Sequence, residues 1–275
     1  MNQDEQLYKE IYPVKYFRDY LQHNIRPDGR NLLGSRPLQL NVNSITTADG
    51  SATVKLGNTV VVCGIKAEIA TPTVTEPDQG YFVPNVEYTP LCSPKYRPGA
   101  PPEDAQVCSR TLFDILTNSN CLDVKDLKII SEKFVWTLYC DVVVLNDDGC
   151  VLDAAVIAVV AALKNTKLPK IDYDLSTEQA SADEKTKIPL KVSSLPVATS
   201  FMIFDDKVIA DPTAEEEKLS AACITVAICN SELSFLYKPG GEPVEPEMLE
   251  KCIKQAKSRE KLVLELLTKV LNQKT

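Results

Sequence analysis

The chain has 275 residues, 44% hydrophobic and 25% charged, with 38 acidic against 30 basic side chains and a net charge of −8. This is the composition of an ordinary globular protein long enough for one large domain or two smaller ones, and its acidity argues against a free-standing nucleic-acid binder, whose footprint is basic. The longest apolar run, 154–163, is too short to cross a bilayer, which takes about 20 residues, and MNQDEQLYKE lacks the basic and apolar parts of a secretory signal; an intracellular protein without a membrane partner is expected.

Residues 12–23 place Val14, Phe17, Tyr20 and Leu21 on one face with Pro13 in the first turn, which predicts a short helix packed on the domain that follows. Residues 39–46 alternate imperfectly and run into Asp49-Gly50, so they are expected to pair with the hairpin that starts there. That hairpin, TADGSATVKLGNTVVVCGIKAEI at 47–69, is the densest β signal in the chain. Gly57-Asn58 closes it between two β-branched runs, and its second strand, nearly unbroken Val, Cys, Gly and Ile, is expected to be the more buried. Residues 71–80 read as a loop, 82–91 as an edge strand because of Pro84 and Pro90, and CSPKYRPGAPP at 92–102 as irregular chain.

A helix begins near Pro102-Glu103-Asp104 and carries Val107, Leu112, Ile115 and Leu116 inward. Residues 133–146 form a long strand turned by Asp147-Asp148-Gly149. The stretch 151–164 is apolar on nearly all sides, which predicts a buried helix in the central layer. Residues 170–195 shift to DYDLSTEQASADEKTK, read as a surface excursion between two halves. Four short strands follow at 197–204, 207–210, 223–229 and 233–237, then a helix at 245–271 with one apolar stripe. Each half is strands followed by helix, a duplicated α+β architecture. The expected divisions are a helical extension at 1–25, a first half at 26–168, a polar linker at 169–195 and a second half at 196–275.

Little in the chain carries familiar chemistry. Nine cysteines, none spaced CxxC, read as free thiols and small buried hydrophobes. His23 is the lone histidine, so any histidine-based nucleophile mechanism would need it as base, but it reads as a surface or capping residue at the end of a polar helix. Phosphate-loop, dinucleotide and zinc-protease motifs are absent, so no cofactor and no metal are expected. Asp211, followed by Glu215, Glu216 and Glu217, could gather around a divalent cation or be a plain acidic turn. Lys95, Tyr96 and Arg97 combine two cations and an aromatic, the mix that binds single-stranded RNA, or are incidental loop charges. Gly240-Gly241 could cradle phosphate but reads more simply as a turn.

The order RPDGR at 26–30, then TADGSATVKLGNTVVVCGIKAEI, then PGAPPEDAQ resembles the RNase PH family of phosphorolytic exoribonucleases across almost the whole chain. Within that family it is similar to ring subunits of the eukaryotic RNA exosome, on the branch related to the non-catalytic archaeal ring subunit. The resemblance implies a hetero-hexameric ring with other RNase PH-like subunits, RNA-binding cap subunits, single-stranded RNA as ligand, and work in rRNA maturation and mRNA turnover in nucleus, nucleolus and cytoplasm. Active members carry two aspartates six apart, here matched to Asp211 and Glu217, and phosphate-binding arginines one helical turn apart, here matched to Ser109 and Phe113. Arg110 is a neighbour rotated by roughly 100° on the helix. A degenerate site follows, with Asp211, Glu217, Ser109 and Phe113 non-catalytic and Lys95, Tyr96, Arg97 and Arg110 as RNA contacts. The alternative is an active phosphate-dependent exoribonuclease using Asp211 as acid.

Overall fold

The structure, a computed structural model, describes residues 3–174 and 179–273. Two amphipathic helices, α1 (Gln3–Ile11) and α2 (Pro13–Gln22), open the chain. The first sheet comprises β1 (Leu38–Val42), β2 (Gly50–Leu56), β3 (Thr59–Ala70), β4 (Tyr81–Tyr88), β5 (Lys128–Ile130) and β6 (Phe134–Asn146). Its order is β1-β2-β3-β6-β4, with β5 also on β6. Pairing is antiparallel except for β4, which runs parallel to β6 at the edge, with Val86 opposite Val142. An edge place suits Pro84, which has no amide to donate to a ladder.

The hairpin at the centre is formed as its turn residues require, Val54 pairing with Val61 and Gly57 sitting at φ +59°. The expectation that its second strand is the more buried does not hold. Along β3, buried residues alternate with half-buried ones, because one face meets the core while Val60, Val62 and Gly64 lie on the other.

Between β4 and β6 the chain makes the irregular proline-rich segment and α3 (Glu103–Asn118); after β6 comes α4 (Val151–Asn165). The stretch 154–163 of α4 is wholly buried. This helix packs on β2 and β3 on one side and, on the other, on β9 (Val197–Phe204) of the second sheet. Full burial of each Val, Ile or Leu there contributes about 1.5–3 kcal/mol. Alanines let the layers close: a Cβ at Gly50 of β2 would lie 2.7 Å from the Ala162 carbonyl oxygen.

The second sheet has the order β10-β9-β11-β12, with β10 (Lys207–Ala210), β11 (Ala222–Cys229) and β12 (Glu232–Tyr237) all antiparallel. A one-turn helix α5 (Ala214–Glu217) follows β10. The long α6 (Pro246–Gln273) buries Cys252, Ala256, Val263 and Leu267, packing on β9 and β11. The architecture is α+β, two sheet-and-helix units with α4 between them.

Within the excursion expected at 170–195, β7 (Lys167–Asp174) and β8 (Gln179–Pro189) pair as a two-stranded hairpin whose tip, 175–178, lies outside the described residues. One further expectation is corrected: α2 packs not on the unit that follows but on the distant one. Phe17 meets Phe204 edge-on with ring centres 5.2 Å apart, and Lys207 Nζ donates to the Leu21 carbonyl.

Candidate functional site

The β9–β10 hairpin ends at Asp211, which turns the chain at φ +51° and is fully buried. A carboxylate in such a place needs counter-charge. It comes from the other end of the chain. Arg36 donates to Asp211 from its amide (2.6 Å to Oδ2) and its guanidinium (Nη2, 2.7 Å to Oδ1), and Arg30 Nη1 lies 3.3 Å from Oδ2. Arg26, also fully buried, donates to the carbonyls of Ala210 and Asp211 and forms a two-pronged pair with Glu216. Burial alone would raise the Asp211 pKa, but the hydrogen bonds and charge of Arg36, with the charge of Arg259, hold it below the ordinary carboxylate range.

The three glutamates of α5 go three separate ways. Thr213 and Glu216 close a capping box, with Glu216 turned inward to Arg26; Glu215 faces out to Lys9 at 2.5 Å. Glu217 reaches the first unit and accepts a hydrogen bond from the Cys150 amide at the start of α4, 2.8 Å. Burial pushes Glu217 up to about 7, with the charges of Asp147 and Asp153 adding to the rise. The four carboxylates therefore do not gather around a common cation. Each of these carboxylates has its own protein partner, so they do not fit the divalent cation that the acidic run could have held.

Asp211 is sealed from solvent and bound to arginines, which favour its ionised form. The helix positions matched to the phosphate-binding arginines lie on α3. Ser109 faces the first sheet, its Oγ accepting from the Val86 amide at 2.9 Å and donating to the Ala105 carbonyl at 2.8 Å. Phe113 is half-buried beneath Arg110, whose guanidinium lies 5.6 Å from the ring centre and pairs with Asp114 at 3.1 Å on the exposed face. Among the described residues no hydrogen bond or ion pair joins α3 to Asp211 or Glu217.

In the proline-rich segment Tyr96 is not available for base stacking. It is buried, its ring centre is 4.6 Å from that of Tyr88, and its hydroxyl donates to Asp104 at 3.1 Å. Lys95 is exposed but paired with the same Asp104, at 2.5 Å; Arg97 is exposed and in no ion pair among the described residues. His23 is the C-cap of α2, and all nine cysteines are free thiols. The residues that sequence reasoning missed are Arg26, Arg30 and Arg36. Three arginines within eleven positions of an acidic chain were the available signal.

The description "3' exoribonuclease family, domain 1" matches residues 34–169, and "domain 2" of the same family matches 194–259. The exosome complex component rrp43 of Schizosaccharomyces pombe is 41% identical over 254 residues, covering 92% of this chain and 94% of the relative. The chain belongs to the RNase PH family of 3′ exoribonucleases. Another RNase PH-family relative, the exosome complex component Rrp42 of Pyrococcus furiosus, is 34% identical with 94% of each covered. Among solved structures, the Archaeoglobus fulgidus exosome with RNA bound to the active site superposes at a TM-score of 0.82, with 30% identity over 92% of this chain and 96% of that one. An archaeal exosome core superposes at 0.79 with 27% identity.

Proposed function

We propose that this protein is a non-catalytic structural and RNA-guiding subunit of a hexameric exosome ring, built with other RNase PH-like subunits and topped by RNA-binding cap subunits. It would support 3′–5′ RNA processing and decay in nucleus, nucleolus and cytoplasm. The family and the relatives named as exosome components support the assembly. The observation that carries catalytic silence is the arginine-bound Asp211: the carboxylate expected as acid is a structural ion-pair member. Arg97 and Lys95 are the RNA contacts of this reading, acting as phosphate counter-charges without Tyr96 as a platform.

A second reading, an active phosphate-dependent exoribonuclease, has one observation in its favour. Glu217, raised to about 7, has the proton affinity of a general acid at neutral pH. The test is purified protein, alone and in its assembly, with end-labelled RNA, magnesium and phosphate. No release of nucleoside diphosphates attributable to this chain is the expected result. Release that disappears in Glu217→Gln would establish the enzyme instead.

A further inference from the structure

A fourth arginine stands beside this cluster, its charge acting on Asp153 and Asp211 while most of its N–H donors stay open. Arg259, on α6, is 5% exposed, and among the described residues its one hydrogen bond runs from Nη1 to Ser35 Oγ at 2.8 Å. Among the described residues it makes no ion pair. Its charge is felt by Asp153 and Asp211, but Asp153 is taken by the amide and hydroxyl of Ser200, and Asp211 by Arg36 and Arg30. A guanidinium has five N–H donors in a fixed fork, so most of this one is unclaimed by protein.

Arg259 lines a cavity of about 320 Å³ between α6 and the segment 33–38. The remaining wall is largely aliphatic, supplied by Leu33, Leu38, Leu262 and Leu266. Positions 259, 262 and 266 fall on one helix face, so the fork and the leucines point into the same space. Leu262 is 67% exposed and Leu33 40% exposed. The other arginine on the wall, Arg36, spends its nitrogens on Asp211 and on the carbonyls of Asp148, Gly149 and Pro212. The cavity thus offers one free cationic fork beside a leucine-lined slot open to solvent.

We propose that this cavity binds a carboxylate carried on an aliphatic body, with the Arg259 fork taking both carboxylate oxygens and the leucines covering the chain. A guanidinium fork matches the two oxygens of a carboxylate in parallel hydrogen bonds. A phosphate dianion would keep a second charge unpaired against leucine, which is costly. The same chemistry has two sources, a free aliphatic acid or the C-terminal carboxylate of a peptide ending in aliphatic residues.

The experiment is calorimetric titration of the full chain at neutral pH with octanoate, N-acetyl-leucyl-leucine, octanamide and inorganic phosphate. Octanoate or the dipeptide should bind in the millimolar range or tighter, at least about tenfold better than octanamide. The tighter of the two identifies the source. Arg259→Gln should lose the binding. Because that change also alters the field at Asp153 and Asp211, Leu262→Glu serves as the second variant: it sits on an exposed rim, should leave the thermal midpoint unchanged, and should weaken carboxylate binding about tenfold or more by like-charge repulsion. Failure of both carboxylates to bind, equal binding of octanamide, preference for phosphate, or unchanged binding in Leu262→Glu would each overturn the proposal.

Discussion

Two carboxylates in the same turn, Asp211 and Glu217, have been pushed in opposite directions by their surroundings, and stability should record both. Asp211 has a lowered pKa, so its contribution is present above about pH 4, the unfolded value, and is lost as pH falls through the folded one. Glu217 is raised from 4.5 to about 7, so its contribution is complete below the unfolded value and is lost as pH rises through 7. Glu217→Gln keeps an oxygen for the Cys150 amide and removes the buried charge. It should be more stable than the parent above pH 7, by about 1–3 kcal/mol, and nearly equal to it near pH 4. Urea denaturation at both pH values measures this; an equal effect at the two would show that Glu217 ionises as an exposed glutamate does. None of this was legible in the sequence. Asp211 and its partner Arg36 are 175 positions apart, and an acidic run beside a strand reads identically whether it holds a cation or answers an arginine. Tyr96 misled for a related reason: residue type suggests stacking, whereas its exposure depends on Tyr88 and Asp104, which sequence does not place.

Where turn residues and periodicity agree, elements were readable. The β2–β3 hairpin follows from Gly57-Asn58 and its β-branched flanks, α4 from an apolar run too long for a strand, and the edge place of β4 from its proline. The β7–β8 hairpin was hidden because its polar composition carries no alternation. That composition has a dynamic consequence. The hairpin ladder pairs only with itself among the described residues, and an isolated two-stranded hairpin is marginally stable in water. Its base is tied by the Lys167 amide to the Asp49 carbonyl and the Leu190 amide to the Thr166 carbonyl. Amide exchange should therefore be faster in the outer ladder of β7 and β8 than in β3 or β6, by mass spectrometry, with protection returning toward Lys167 and Leu190. The turn from β6 into α4 makes the opposite prediction. Gly149 sits at φ +81°, and a Cβ there would lie 2.7 Å from the Pro212 carbonyl and the Ala214 amide. Gly149→Ala should destabilise by about 1–3 kcal/mol in thermal or urea unfolding, since the new methyl meets backbone that cannot step aside.

At the scale of the whole molecule, the two units are joined by a shared helix, α4, and by ion pairs across the ends of the chain. Leu7, Ile11, Tyr12, Leu233 and Leu236 are exposed large apolar residues. Under the ring reading, the chain expressed alone should give ill-defined oligomers, and co-expression with other RNase PH-like subunits should give one discrete ring by native mass spectrometry. A monodisperse monomer indifferent to those subunits would remove that reading. The sequence reached the α+β class and the family through motif order. It could not reach the docking of α2 onto the far unit, because the apolar face of a helix shows what must be covered and not by which part of the chain.

Arg26 and its partner Glu216 are 190 positions apart, and a ribosome delivers the first long before the second. At about 5–20 residues per second, roughly 10–40 s separate their emergence. For most of that interval α2 has neither Phe204 nor Met202 to cover it, and the RPDGR arginines stay in water. An early-synthesised segment thus finds its place late, and a nascent chain arrested before residue 211 should expose α1 and α2 to chaperones or protease even after the first sheet has closed.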